Sequence, residues 1–134
     1  MIEKIIDTDI LSYFFKGNKK VVSNFEKYFD EYPCINITIV TYYEILSGLH
    51  FNKATKKLAD FEKFAKGCKI FNVSKESAEL SAKIYANLRQ EGTPVDDIDL
   101  MIAGIAIKNN FTLVTNNDKD FGKIKTLKTV NWSK

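Results

Sequence analysis

Short apolar, β-branched runs alternate with longer stretches of helical spacing along this chain, and that alternation limits its fold more than anything else. The first run is Ile5-Ile6. Others cover residues 34–38, 69–73 and 111–115, and a last one covers 126–132. Between them, apolar residues recur at the three- and four-residue intervals of a helix. Strands separated by helices pair in parallel through crossovers, and the helices then cover both faces of the sheet. The fold class is therefore α/β: a central, mainly parallel sheet of about four to five strands flanked by helices. With 134 residues, the chain suits one domain spanning 1–134 and has enough length for a substantial core.

Helices are expected over 9–15, 21–32 and 53–66. Thr38 is placed to cap another that runs to Ser47, with Gly48 as its stop. Ser74 caps a long one to Gln90, and Glu91-Gly92-Thr93-Pro94 breaks the chain after it. In 21–32 the inward stripe is Val22, Phe25, Phe29 and Tyr32; after Ser74 it is Ala78, Ser81, Ala82, Tyr85 and Leu88. A last helix opens at Asp96-Asp97, where the dipole favours acids, and ends at Asn110. Its Gly104 costs about 1 kcal/mol against alanine in a helix interior. With Ala103 and Ala106 it signals close packing against a strand.

Several function classes drop out. No run of about 18 apolar residues exists, so no membrane span is expected and the cytoplasm is the default. His50 is the only histidine and has no partner motif, which argues against a serine or cysteine triad and a histidine zinc site. Cys34 and Cys68 read as small buried hydrophobes in a reducing compartment. The net charge of +3 comes almost wholly from lysine, with Arg89 the sole arginine. Clusters such as Lys16/Lys19/Lys20, Lys53/Lys56/Lys57 and Lys119/Lys123/Lys125/Lys128 read as solvated faces with the capacity to touch phosphates.

The acids are more specific. The run Ile5-Ile6 ends in Asp7, and the carboxyl edge of an open α/β sheet is where ligands bind. A charge beside a core strand is costly unless it is paired or binds a metal. Capping of the next helix would explain an isolated acid, but other acids converge. Asp118 and Asp120 follow the strand at 111–115. Glu44 sits within Tyr42-Tyr43-Glu44-Ile45-Leu46, and Asp99 lies inside a helix apolar on most faces, aimed at the sheet edge. Gathered carboxylates repel and retain protons unless a cation sits among them. Oxygen ligands without histidine or cysteine select Mg²⁺ or Mn²⁺ over zinc. Such a cation activates water, orients an in-line attack and stabilises the leaving oxygen of a phosphodiester.

The motifs Ile6-Asp7-Thr8-Asp9, Tyr43-Glu44-Ile45-Leu46-Ser47-Gly48, Gly92-Thr93-Pro94 with Asp99-Leu100-Met101-Ile102-Ala103-Gly104, and Val114-Thr115-Asn116-Asn117 with Asp120-Phe121 stand in this order. In these the chain resembles PIN-domain ribonucleases, specifically the VapC toxins of bacterial toxin–antitoxin pairs, along essentially its whole length. The resemblance implies a PIN fold and makes Asp7, Glu44 and Asp99 metal-binding, catalytic acids. It places the fourth acid just before the phenylalanine, at Asp120, with Asp118 a neighbour whose role is not separated from it. Thr115 and Asn117 match polar positions that orient the site or a water bound in it. Asp9 stands where asparagine is common in the family; a cap, a supporting acid and a ligand are all open to it. With Asp7 given to the metal, capping passes to Thr8 or Asp9.

The resemblance further implies endonucleolytic cleavage of RNA with Mg²⁺ or Mn²⁺, and a homodimer. It implies neutralisation by a cognate VapB-like antitoxin that inserts a segment near the acidic groove. Operator DNA is then reached only through the antitoxin. Two other readings compete. One is a catalytically silent PIN-like module acting through antitoxin and operator binding. The other is a haloacid-dehalogenase-like phosphatase with Asp7 as nucleophile and Asp9 as acid, although Leu11 stands where that family favours threonine or valine. A phosphoreceiver is excluded, because Val73-Ser74-Lys75 offers no acceptor aspartate after the third strand.

Overall fold

Five short strands, all paired in parallel, form the central sheet of the computed structural model, which describes residues 3–134. The first two residues of the expected 1–134 span lie outside the described range. The strands are β1 (Lys4–Ile6), β2 (Asn36–Thr38), β3 (Lys69–Phe71), β4 (Thr112–Val114) and β5 (Thr129–Val130), in the order β3-β2-β1-β4-β5. The helices are α1 (Thr8–Phe15), α2 (Lys19–Phe29), α3 (Ile39–Phe51), α4 (Thr55–Ala65), α5 (Lys75–Gln90), α6 (Asp97–Lys108) and the short α7 (Asp118–Phe121). The chain leaves β1 toward β2 and β3, then crosses to β4 on the other side. That reversal opens a crevice at the carboxyl ends of β1 and β4. Among the described residues no helix is long and apolar enough to cross a membrane.

Successive strand residues face opposite sides of the sheet, and the core divides accordingly. Ile5 pairs with Leu113, and both face Leu100, Ile102, Ile105 and Phe121, under α5 and α6. Ile6 pairs with Val114, and both face Ile10, Leu11, Phe25, Phe61 and Trp132, under α1, α2 and α4. Each such side chain, fully buried, contributes about 1.5–3 kcal/mol. β1 is thus held from both faces and both edges, which makes its end a rigid place from which to project a side chain.

The expected strands and most helices are present, with shifted boundaries and faces. On α2 the buried residues are Val21, Phe25 and Tyr28, one step from the expected stripe; Phe29 is exposed. Asn18 caps that helix through the Val21 N–H, which starts it at Lys19, ahead of the expected Val21. Gly48 does not stop α3, which continues through it to Phe51. The glycine's cost is offset by apolar residues beyond it, since Leu49 still packs on the core. On α5 the buried residues are Ser77, Ser81 and Leu88, whereas Ala82 and Tyr85 are exposed. Cys34 and Cys68 are only partly buried. The helical turn α7 was not anticipated, because its four residues are too few to show a period.

Gly104 does mark a close approach, but to a helix instead of a strand. A Cβ at 104 would overlap the Ser81 hydroxyl and come within 2.5 Å of the Ser77 carbonyl oxygen. Two serines on α5 let α6 sit this near, and the Ser81 hydroxyl donates to the Leu100 carbonyl at 2.7 Å. Gly104→Ala should therefore destabilise the fold by about 1–3 kcal/mol despite alanine's better helix propensity. Urea unfolding gives the measurement, and a midpoint at or above that of the unmodified chain would contradict the packing described.

Candidate active site

Asp7 is the first residue past β1. Its N–H still donates to the Val114 carbonyl at 2.9 Å, so the sheet fixes its backbone. Extended dihedrals (φ −74°, ψ 160°) make it the N-cap of α1, and Oδ1 accepts the Thr8 N–H at 2.8 Å. The cap is thus Asp7 itself, and not Thr8 or Asp9: the turn that starts α1 directly behind a strand leaves no residue between. Its other oxygen, Oδ2, accepts the Thr115 hydroxyl at 2.8 Å. Thr115 stands in the matching place past β4, with its N–H on the Val130 carbonyl at 2.9 Å. Asp7 is only 5% exposed, and Thr115 is fully buried.

Glu44 arrives from the neighbouring strand. Thr38 ends β2 and caps α3, accepting the Thr41 N–H at 2.9 Å. Glu44 lies in the second turn of that helix, half-buried. The Thr8 hydroxyl donates to Glu44 Oε1 at 2.6 Å and lies 3.0 Å from the Thr41 hydroxyl. Asp99 sits half-buried in the first turn of α6, behind the N-cap Asp96. Thr8 lay inside a quoted motif, yet its hold on Glu44 had no sequence signal. Thr41 had none either.

After β4 the loop separates its two acids. Asn117 caps α7, and its Nδ2 donates to Asp120 Oδ2 at 3.3 Å. Lys123 lies 3.4 Å from the other Asp120 oxygen. Asp118 is exposed and turned toward the residues after β5, with Lys134 at 3.6 Å and Asn131 Nδ2 at 3.3 Å. Asp9 spends both oxygens on main-chain donors: Oδ1 accepts the Ile10 N–H at 2.7 Å and Oδ2 the Asn116 N–H at 3.1 Å.

The acids feel one another. Burial, reinforced by the charges of Asp9 and Asp99 and opposed by the Thr115 and Thr8 bonds, pushes Asp7 up to about 7. Burial followed by Glu44, Asp120, Asp96 and Asp9 pushes Asp99 up to about 6. Asp9 is also raised, chiefly by burial, with Asp118 among the charges near it. Asp120 therefore belongs to the field around Asp99, and Asp118 to the field around Asp9. Among the described residues the lysine–carboxylate pairs are Lys123–Asp120 and Lys134–Asp118, both at the rim.

The donors in the crevice are carboxylates and hydroxyls, the set a hard divalent cation takes. Among the described residues no three Asp, Glu, His or Cys side chains stand close enough to enclose a cation by themselves. Mg²⁺ keeps several waters and uses one or two carboxylates directly, so the residues present fit such an ion with water completing its shell. A groove of about 450 Å³ opens from Thr8 and Glu44 and runs past Leu49 to Phe15, Lys57 and Phe61, between α1, α3 and α4.

The sequence model of the family described as PIN domain matches residues 4–127. Ribonuclease VapC1 of Methanocaldococcus jannaschii is 30% identical over 121 residues, covering 90% of this chain and 80% of its own. The tRNA(fMet)-specific endonuclease VapC of Shigella flexneri is 29% identical over 134 residues, covering 99% and 100%. The crystal structure of VapBC2 from Rickettsia felis bound to a DNA fragment from their promoter superposes with a TM-score of 0.88, at 27% identity, covering 98% of this chain and 99% of that one.

The electrostatics carry a consequence for the metal-free protein. Folded Asp7 holds its proton to about pH 7, whereas an unfolded aspartate releases its proton near pH 4. The stability linked to that proton is complete below about pH 4 and is lost as the pH rises through about 7. Asp7→Asn removes the charge, so with metal chelated the variant should be more stable at about pH 8, by up to roughly 4 kcal/mol. The gain should fade as the pH falls toward about 4. Thermal melts across that range test this; a gain that grows on acidification would contradict it.

Proposed function

Because the chain belongs to the PIN-domain family, among its VapC ribonucleases, we propose that its crevice hydrolyses RNA phosphodiester bonds with a divalent cation held at Asp7, Glu44, Asp99 and Asp120. It is the toxin member of a type II toxin–antitoxin pair. The family match sets aside the haloacid-dehalogenase phosphatase, and both Asp9 oxygens are occupied by main-chain donors where that reading needs a free acid.

The observation that carries the metal-dependent reading is the gathering of acids at one sheet edge, where burial first and the neighbouring carboxylates after it raise both Asp7 and Asp99. A divalent cation held by these acids would stabilise their charged forms and would supply Lewis-acid polarisation of a phosphoryl oxygen and activation of water. The chain's own residues do the rest. The Thr115 and Thr8 donors orient both oxygens of Asp7. Thr8 holds Glu44 at the edge nearest the groove. Asn117 steadies Asp120 through its side-chain amide. Asp120 is the fourth acid, since its charge is among those acting on Asp99, while Asp118 is paired outward with Lys134. The buried position of Asp7 keeps bulk water from competing for its oxygens.

The groove between α1, α3 and α4 suits a segment of the VapB-like antitoxin. Its middle is apolar, with Ile45, Leu49 and Phe61, and its end reaches Glu44. A basic side chain on that segment would satisfy the acids as a cation does. Operator DNA is then contacted through the antitoxin, the toxin acts as a homodimer, and its setting is the cytoplasm.

Purified protein incubated with RNA should cleave it with Mg²⁺ or Mn²⁺ and stop on chelation. Asp7→Asn and Asp99→Asn should each lower cleavage by ~100-fold or more while the fold survives. Asp120→Asn should lose about tenfold or more and Asp118→Asn little, as followed by end-mapped cleavage products. An Asp99→Asn protein as active as its parent would remove that residue from the mechanism. Undiminished cleavage in excess chelator would remove the metal.

A further inference from the structure

The segment after β5 is tied to the site through a side chain that the mechanism above does not use. Parallel pairing of Val114 with Val130 brings the residues just beyond both strands to the same edge. Trp132 anchors the second of these segments. Its ring is buried 5.2 Å from Phe25 and 5.9 Å from Tyr28, and its carbonyl accepts Asn24 Nδ2 at 3.1 Å. The residues either side of it turn to the loop after β4. Asn131 Nδ2 donates to Asn116 Oδ1 at 2.8 Å, and the Ser133 hydroxyl lies 3.1 Å from the same oxygen. The Ser133 N–H donates to Asn131 Oδ1 at 2.9 Å, which holds the amide in that orientation.

Asn116 is gripped from the other side as well. Its Nδ2 donates to the Tyr13 hydroxyl at 3.2 Å, and its main-chain N–H to Asp9 Oδ2 at 3.1 Å. Residue 116 is thereby bonded to α1 through its amide nitrogens and to the segment after β5 through its side-chain oxygen. The two residues that flank it face the acids. The Asn117 N–H donates to Thr115 Oγ1 at 3.0 Å. A hydroxyl that accepts there has its own proton directed elsewhere, and that proton goes to Asp7 Oδ2 at 2.8 Å. The direction of this bond depends on where the Asn117 N–H points, and that depends on the peptide Asn116 holds.

We propose that Asn116, Asn131 and Ser133 are positioning residues, through which the segment after β5 sets the orientation of Asp7 by way of Thr115. Asp9 belongs to the same device as the main-chain strap on Asn116. None of the three touches the reacting atoms. They act as the outer partners of a metal ligand act elsewhere, where removing one costs about 10–100-fold in metal affinity or activity. The proposal rests on the metal-dependent ribonuclease reading.

The test is Asn131→Ala combined with Ser133→Ala, alongside Asn131→Asp, which keeps the side chain's size and the acceptor for Ser133 but loses the Nδ2 donor shared by Asn116 and, at 3.3 Å, Asp118. Mn²⁺ binding to the RNA-free protein should weaken by about tenfold in both variants. At saturating Mn²⁺, kcat should fall by about tenfold with KM for RNA unchanged. Lys134→Ala, which removes only the exposed pair with Asp118, should leave both at the parent's values. Parent-like Mn²⁺ affinity in a folded Asn131→Asp protein overturns the proposal. So does a raised KM with kcat intact, which would make the segment an RNA contact. Failure of the parent itself to cleave RNA would strike at the ribonuclease reading, while the Mn²⁺ titration would still decide the role of Asn131.

Discussion

A carboxylate withheld from water at the end of a central strand is the feature to which the rest of this structure is fitted. Asp7 is held there by three main-chain and side-chain bonds, from its own N–H to Val114, from the Thr8 N–H and from the Thr115 hydroxyl. Those bonds stabilise its charge only in part, since its proton affinity stays well above that of a solvated aspartate. The fold keeps it in place by surrounding β1 with apolar packing on both faces, Ile5 on one and Ile6 on the other. The remaining tension is a binding preference for positive charge. On the proposed reading, that one preference would serve both a metal ion that supports cleavage and a basic antitoxin group that blocks it.

Much of this was legible in the residues. Alternating strand and helix patterns led to the parallel sheet, because β-branched runs this short have few other stable arrangements. Asp7 stood out as an acid ending an apolar strand and Asp99 as one inside an apolar helix, whereas Glu44 and Asp120 drew notice through the motifs they share with the family. Caps at Thr38 and Ser74 were readable because a hydroxyl directly ahead of a periodic stretch has a local function, and both accept the expected N–H.

What could not be read depended on contacts distant in sequence. The face of α2 differs from the expected stripe because contacts with Phe14 and Trp132 fix it through Phe25, and apolar spacing alone does not choose between neighbouring stripes. Gly48 looked like a stop, but the apolar residues beyond it keep α3 going. Gly104 was recognised as a close approach without its partner, since nothing local distinguishes a strand from the serine-lined face of α5. Asp118 and Asp120 are two residues apart, and only the turn of α7 decides that one points out to Lys134 and the other in toward Asp99. Asp9 showed the same limit: its partner, the Asn116 N–H, lies 107 residues away in the chain.

The strand order has a consequence in time as well as in space. β1 is made first yet sits in the middle, between a strand that follows it soon and one that follows near the other end. Pairing of β1 with β2 brings residues 7 and 44 to one edge, and residue 120 joins them only when β4 docks against β1. A chain folded only as far as β3 therefore carries Asp7 and Glu44 without the β4 side of the crevice. The crevice thus waits on the pairing of β1 with β4, the sheet contact that joins the segments farthest apart in the chain.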